Sequence, residues 1–177
     1  MGQKLKRVGI FGGSFDPPHI GHLVIAQIAR RSLDLDVLYL VPAFKPPHKD
    51  GSHESTARDR LAMTRRSVLG NAKLKVSDVE LRRRGVSYTV DTVRAFRKRF
   101  PASQLFLIIG SDSLEQFSSW KSPGEILADV SLVVYRRPRS GRASARLRST
   151  AATVIRGPLM QISSSEIRER IKNGKTI

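Results

Sequence analysis

The sequence predicts an α/β fold in which a single open, doubly wound parallel sheet carries helices on both faces. Three observations predict it: short and very apolar runs recur along the chain, helical patterns separate them, and loops rich in glycine or proline follow them. Strands this apolar are typical of parallel sheets, which are buried on both faces. At roughly 150 residues per domain, the 177 residues correspond to one domain, residues 1–177.

The predicted strands are short runs of β-branched and other large apolar residues. They are Val8–Phe11, Val37–Val41, Leu74–Val79, Leu105–Ile109, Ser131–Tyr135 and Thr153–Ile155. The first run stops at the pair Gly12 and Gly13, and the second stops at Pro42. Each strand is therefore expected to lead directly into a loop.

Helical periodicity fills the stretches between these strands. The predicted helices are Ile20–Leu33, Thr56–Leu69, Ser87–Phe100 and a last helix that begins near Ser163. In the first helix, Arg30 and Arg31 occupy the last turn, where cations are favoured by the helix dipole. Pro101 ends the third helix, and Ser163 with Glu166 has the spacing of a capping box.

The chain is strongly basic and contains no cysteine. It has 32 lysines and arginines against 15 aspartates and glutamates, which gives a formal net charge of +17. Residues 136–150 contain six arginines and no acidic residue, and they are predicted to form a mobile basic loop. Such charge attracts nucleotides, nucleic acids and anionic membranes alike. The absence of cysteine excludes a disulfide framework, a thiolate nucleophile and a cysteine-ligated zinc site.

The hydropathy pattern gives no sign of a membrane segment. No run reaches the roughly 18 consecutive apolar residues that a spanning helix needs. The first apolar run ends at Gly12 after four residues, which is too short for a secretory signal. We therefore expect a cytoplasmic protein without a membrane partner.

The most informative segment lies between the first strand and the first helix, and reads Gly12-Gly-Ser-Phe-Asp-Pro-Pro-His-Ile-Gly-His22. In an open parallel sheet, ligands bind outside the carboxyl ends of the strands. The glycines let the backbone approach a ligand closely. His19 and His22 can share one face of the helix start. Imidazoles and free N–H groups at the positive end of a helix suit a phosphate.

This segment resembles the signature of the nucleotidyltransferase superfamily, whose His-x-Gly-His motif binds the phosphates of ATP. In full it resembles the version found in bacterial nicotinate-nucleotide adenylyltransferases. A second segment, Ile162-Ser-Ser-Ser-Glu-Ile-Arg168, is similar to the family's other ATP-phosphate motif, Ser-Ser-x-x-Ile-Arg. Taken alone, its serines favour an ordinary capped helix. The resemblance spans nearly the whole chain and implies a Rossmann-like nucleotidyltransferase fold.

The resemblance implies an ATP site assembled from distant parts of the chain. Gly110 and Asp112 resemble a Gly-x-Asp that contacts nucleotide ribose, and Arg137 resembles an arginine that contacts phosphate. The implied ATP-binding residues are Gly12, Gly13, Ser14, Phe15, His19, His22, Gly110, Asp112, Arg137, Ser163, Ser164 and Arg168. His19, His22 and Arg168 are the implied catalytic residues among them. Mg²⁺ is expected to be carried by ATP, and the sequence has no obvious protein metal cluster.

The same resemblance implies a site for a mononucleotide. Lys45 and His48 are assigned to its phosphate or ribose, Tyr88 and Thr89 to a nicotinate carboxylate, and Trp120 to stacking on the pyridine ring. The implied substrate-binding residues are Ser14, Lys45, His48, Tyr88, Thr89, Asp112 and Trp120. Without the resemblance, the loop around Lys45 is more simply a solvated proline turn, and Trp120 is equally well explained by core packing.

The implied reaction transfers AMP from ATP to nicotinate mononucleotide and gives nicotinate adenine dinucleotide and pyrophosphate, a step of NAD biosynthesis. The sequence contains no Walker A string, no Gly-x-Gly-x-x-Gly fingerprint and no Gly-x-Ser-x-Gly elbow. Catalysis is therefore expected to depend on alignment and charge neutralisation.

Three alternatives remain open at this stage. A pantetheine-phosphate adenylyltransferase or another nucleotidyltransferase shares the first motif, although the pantetheine version usually has threonine where His19 stands. A truncated aminoacyl-tRNA synthetase needs a Lys-Met-Ser-Lys-Ser loop, which is absent. A basic nucleic-acid-binding module would use stacking aromatics, but these make up only 6% of the chain. We therefore expect no specific nucleic-acid partner; a homo-oligomer is compatible with the sequence.

Overall fold

A computed structural model describes residues 6–47, 54–136, 152–158 and 160–177. Its six strands form one sheet in the order β3-β2-β1-β4-β5-β6, and every pairing is parallel. The strands are β1 (Arg7–Gly13), β2 (Val37–Pro42), β3 (Leu74–Val76), β4 (Gln104–Gly110), β5 (Ser131–Arg136) and β6 (Thr153–Arg156). The predicted open parallel sheet is confirmed.

Helices connect these strands and cover both faces of the sheet. They are α1 (Ile20–Ser32), α2 (Ala57–Ser67), α3 (Val79–Arg83), α4 (Thr89–Arg99), α5 (Ser111–Gln116), α6 (Pro123–Asp129) and α7 (Ser164–Lys172), with a 3₁₀ turn at Phe117–Ser119. No helix in the described parts of the chain is long and apolar enough to cross a membrane.

The sequence does not predict three of the short helices, and the predicted end of the third strand is wrong because one of these helices begins there. The third strand was expected to reach Val79, but it ends at Val76, and Val79 begins α3. Asp78 precedes this helix, and its carboxylate lies 3.2 Å from Arg82 one turn further on. Helices α3, α5 and α6 have five, six and seven residues. Such lengths are too short for helical periodicity to distinguish them from loops.

The strand residues alternate between two separate cores. In β2, Leu38 and Leu40 pack into the core that contains Ala26 and Ala29 of α1. Tyr39 and Val41 point to the opposite side. There they join side chains from α4, α5 and α6, namely Val90, Val93, Phe96, Leu114 and Ile126. The sheet is therefore buried on both faces, which explains why its strands are nearly continuous apolar runs.

The strand order changes direction at the boundary between β1 and β4. From β1 the chain builds outward through β2 and β3, and it then returns to place β4 on the other side of β1. The chain leaves β1 at Gly13 toward α1, which packs in one core, and leaves β4 at Gly110 directly into α5, which packs in the other. A crevice at such a point is the usual ligand site of an open α/β sheet.

Candidate active site

A cavity of about 470 Å³ opens at the carboxyl ends of β1, β2 and β4. Its walls come from the loops that follow these strands and from the first turns of α4, α5 and α7. Many of the predicted site residues line it. They are Gly12, Gly13, Ser14, Phe15, His22, Thr89, Gly110, Asp112, Trp120 and Ser164. The fold thus brings both the implied ATP residues and the implied acceptor residues to one cavity.

The two histidines of the first motif are held against each other at the start of α1. Their ring centroids lie 3.8 Å apart. The backbone N–H of His19 donates to Nδ1 of His22 at 3.2 Å. Since Nδ1 accepts a hydrogen bond, the neutral His22 ring carries its hydrogen on Nε2, which makes Nε2 a donor. Gly21 makes this arrangement possible, because a Cβ there would lie 3.0 Å from the His19 ring.

The ring of Phe15 packs against the ring of His22. Its side chain is fully buried, and its ring meets the His22 ring edge-on at a centroid distance of 5.0 Å. The Phe15 backbone has φ +50°, a conformation that bulky residues seldom adopt. A Cβ on Gly13 would lie 3.0 Å from the Phe15 ring. The glycine therefore leaves room for the aromatic ring that fixes His22.

The second motif packs directly onto the loop that follows β1. Ser163 caps α7 and accepts the backbone N–H of Glu166 at 3.1 Å. The Ser164 hydroxyl donates to the carbonyl of Pro17 at 2.8 Å, and Nη1 of Arg168 donates to the carbonyl of Asp16 at 2.6 Å. The start of α7 thus lies beside the loop that is predicted to bind phosphate. The Arg168 guanidinium holds the backbone of this loop at Asp16.

The residues predicted to bind the acceptor lie around the start of α4. Tyr88 immediately precedes that helix, and its ring lies 4.5 Å from Nζ of Lys121. Trp120 lines the cavity and packs on Phe117 with a centroid distance of 5.2 Å. The Trp120 side chain therefore contacts the core at Phe117 and also forms part of the cavity wall. Lys45 is exposed, and its backbone N–H donates to Ser87 Oγ at 3.2 Å.

Two of the implied site residues, His48 and Arg137, lie outside the described residues, as does all of the predicted basic loop except Arg136. Among the residues that the structure does describe, no group of three or more His, Asp or Glu side chains could hold a metal ion.

Two buried charges beside the cavity were not singled out in the sequence. Arg60 of α2 is 1% exposed and Glu80 of α3 is 6% exposed. Burial lowers the pKa of Arg60, whereas the nearby negative charges of Asp16 and Glu80 raise it. In a chain with 32 basic residues, nothing distinguishes Arg60 by type. Thr64 lies four residues later on the same face of α2 and is buried with Arg60, which only the folded chain shows.

Comparison with known proteins gives the family. A family model described as cytidylyltransferase-like matches residues 10–170. The chain belongs to this family. It is 42% identical over 171 residues to a probable nicotinate-nucleotide adenylyltransferase of Salinibacter ruber, covering 96% of this chain and 88% of the relative. It is 41% identical over 174 residues to a protein of the same description from Halalkalibacterium halodurans, covering 98% and 83%.

Solved structures share the fold at much lower identity. A nicotinic acid mononucleotide adenylyltransferase of Plasmodium falciparum, complexed with NaAD, superposes with a TM-score of 0.79 at 18% identity, covering 97% of this chain and 86% of that one. A putative nicotinate-nucleotide adenylyltransferase of Vibrio parahaemolyticus gives a TM-score of 0.70 at 20% identity, covering 98% and 91%. Both show that this chain has the nucleotidyltransferase fold.

The burial of Glu80 generates a prediction about pH. Burial raises the pKa of Glu80, against the hydrogen bonds from Ser87 and Thr92 and the positive charge of Arg83, which lower it. Above about pH 4, the unfolded chain therefore releases this proton before the folded chain does, and stability falls as pH rises until folded Glu80 has ionised as well. Glu80→Gln removes this effect.

The measurement is urea denaturation of the wild type and of Glu80→Gln between pH 4 and 8. The free energy of unfolding of the wild type, minus that of the variant, should decrease as pH rises and then level off. A difference that is constant or that increases with pH would contradict this assignment.

Proposed function

We propose that this chain is a nicotinate-nucleotide adenylyltransferase, which transfers AMP from ATP to nicotinate mononucleotide. A phosphate oxygen of the mononucleotide attacks the α-phosphorus of ATP, a new P–O bond forms, and the bond between the α-phosphorus and the bridging oxygen breaks. The products are nicotinate adenine dinucleotide and pyrophosphate. The observation that carries this proposal is the shared cavity, whose lining includes His22 as well as Thr89 and Trp120.

The acceptor phosphate is already an anion, so it needs no protein base. It must be aligned behind the α-phosphorus, and the charge that develops on the departing pyrophosphate must be neutralised. We assign this second task to Nε2 of His22, to His19 and to the positive end of α1. Mg²⁺, entering with ATP, would neutralise the charge of the phosphates further.

Arg168 and Ser163–Ser164 are assigned to the leaving pyrophosphate. Arg168 donates to the Asp16 carbonyl through Nη1 and to Ser165 Oγ through Nη2, and its other N–H groups can donate to a phosphate while the first contact is kept. A hydrogen bond from arginine to phosphate is stronger than one to a neutral group, so these N–H groups favour a phosphate. Arg168 would then connect the arrival of ATP to the loop that carries the histidines.

The start of α4 supports nicotinate rather than nicotinamide as the acceptor base. The first N–H groups of a helix lack the usual partners within the helix. In α4 these are the N–H groups of Thr89 and Val90, since that of Asp91 donates to the Tyr88 carbonyl at 3.1 Å, and Thr89 lines the cavity. A carboxylate can accept hydrogen bonds through both oxygens, whereas an amide presents one acceptor and one donor. Backbone N–H donors at this position therefore favour the acid.

The proposal is tested by pyrophosphate release from Mg·ATP with different acceptors at matched concentration and fixed salt. We expect release with nicotinate mononucleotide well above release with nicotinamide mononucleotide, and none with phosphopantetheine. Release with phosphopantetheine alone would refute the assignment of Tyr88, Thr89 and Trp120. If none of the acceptors gives pyrophosphate release, the proposed reaction is refuted.

The role of His22 is tested by His22→Ala, with Arg31→Ala as the control on an exposed position of the same helix. Loss of one preorganised donor to a developing negative charge should lower kcat by about 100-fold or more. The Arg31 variant should retain wild-type turnover, and circular dichroism should show both variants folded. Near-normal turnover of a folded His22→Ala enzyme would remove His22 from the mechanism.

A further inference from the structure

Arg60 is a buried arginine whose guanidinium joins two loops of the active site. Its side chain is 1% exposed. Nη1 donates to the carbonyl of Ser14 at 2.7 Å, and Nη2 donates to the carbonyl of Phe44 at 3.2 Å. Burying a cation is costly unless it is hydrogen-bonded and compensated by negative charge. Asp16 and Glu80 supply that opposite charge nearby.

The two carbonyls lie in loops that the proposal assigns to different substrates, one to ATP and the other to the mononucleotide. Ser14 lies in the loop after β1, which leads to the histidines and lines the cavity. Phe44 lies in the loop after β2, directly before Lys45 and the cavity-lining Pro46. β1 and β2 are neighbours in the sheet, and Ser14 and Phe44 lie one and two residues beyond their ends. One rigid, planar guanidinium spans the gap between them.

Phe44 is held through its N–H as well as through its carbonyl. Its N–H donates to Ser87 Oγ at 2.9 Å, and the N–H of Lys45 donates to the same oxygen at 3.2 Å. Burial raises the pKa of the Glu80 carboxyl, which lies next to this contact, whereas Ser87 and the backbone N–H of Phe44 lower it. Glu80 also accepts the Thr92 hydroxyl at 2.6 Å. A continuous set of contacts therefore runs from α4 through Phe44 to the loop after β1.

We propose that Arg60 is a positioning residue that fixes the distance between the ATP loop and the acceptor loop. The inference rests on the proposed function, because it concerns the alignment of the acceptor phosphate with the α-phosphorus of ATP. Arg60 touches neither substrate, so each loop can still bind its own ligand when Arg60 is changed. What is lost is the fixed relation between the two loops.

The test is Arg60→Lys, which keeps the positive charge but cannot reach both carbonyls with a planar fork. A displacement of about 1 Å between reacting groups can lower kcat by roughly 100-fold, and we expect a loss of this order. The KM values for ATP and for nicotinate mononucleotide should stay within about threefold of wild type, since binding of the separate substrates is retained. Arg66→Lys, an exposed change on the same helix, serves as the control.

Equilibrium binding gives a second readout, which a loss of stability alone would not produce. The dinucleotide product must contact both loops at once, so its affinity for the Arg60→Lys variant should fall about tenfold or more, as expected for a lost connection between two linked sites. The affinities for ATP and for the mononucleotide alone should not change. An equal loss of affinity for all three ligands, or no change in kcat, would overturn the proposal.

If Arg60→Lys does not fold, Glu80→Gln tests the same connection from the Phe44 side. Gln removes the negative charge that compensates Arg60 and puts an NH₂ donor in place of one carboxylate oxygen, so the hold on Phe44 is weakened. The proposal is supported if Glu80→Gln lowers kcat and the affinity for the dinucleotide while the affinities for ATP and for the mononucleotide alone stay unchanged. A folded Glu80→Gln enzyme that does not show this pattern overturns it. Absence of turnover in the wild type would instead identify failure of the proposed function.

Discussion

The parallel pairing of β1 with β2 on one side and β4 on the other is the constraint on which the whole site depends. It places the ends of three buried strands at one edge of the sheet, although they are separated by many residues in the chain. The two halves of the fold leave β1 in opposite directions, which opens a cavity there. Because the strands are buried on both faces, the loops start from fixed points, and a small number of side chains suffices to shape them.

Those side chains act mainly on backbone groups. Arg60 binds the carbonyls of Ser14 and Phe44, and Arg168 binds that of Asp16. Ser87 accepts two N–H groups on the other side of Phe44. Buried charged groups of this kind are costly when partly satisfied and rigid when fully satisfied. The geometry of the proposed site is therefore set in part by Arg60 and Ser87, which are not among the residues assigned to the reacting phosphates.

How far the sequence predicts this arrangement depends on the range of the interaction concerned. The strands, the long helices and the capping of α7 by Ser163 depend on neighbours in the chain, and their patterns are visible in the sequence. Helix α3 is too short to show a period, so Val79 was assigned to a strand. Arg60 and Glu80 could not be recognised, because their roles arise from contacts with Phe44 and Ser87 that only the folded sheet creates. The roles of His19, His22, Tyr88 and Trp120 in binding remain predictions that rest on the family resemblance.

The central claim is that one cavity holds two adjoining subsites, one for ATP and one for the mononucleotide. Calorimetric titration of the wild-type protein tests it most directly, using nicotinate mononucleotide, nicotinate adenine dinucleotide and an ATP analogue with a non-cleavable α,β bridge. We predict that the analogue and the mononucleotide bind together without competing, and that each of them displaces the dinucleotide. Mutual competition between the analogue and the mononucleotide, or a dinucleotide that stays bound when either is saturating, would contradict the account.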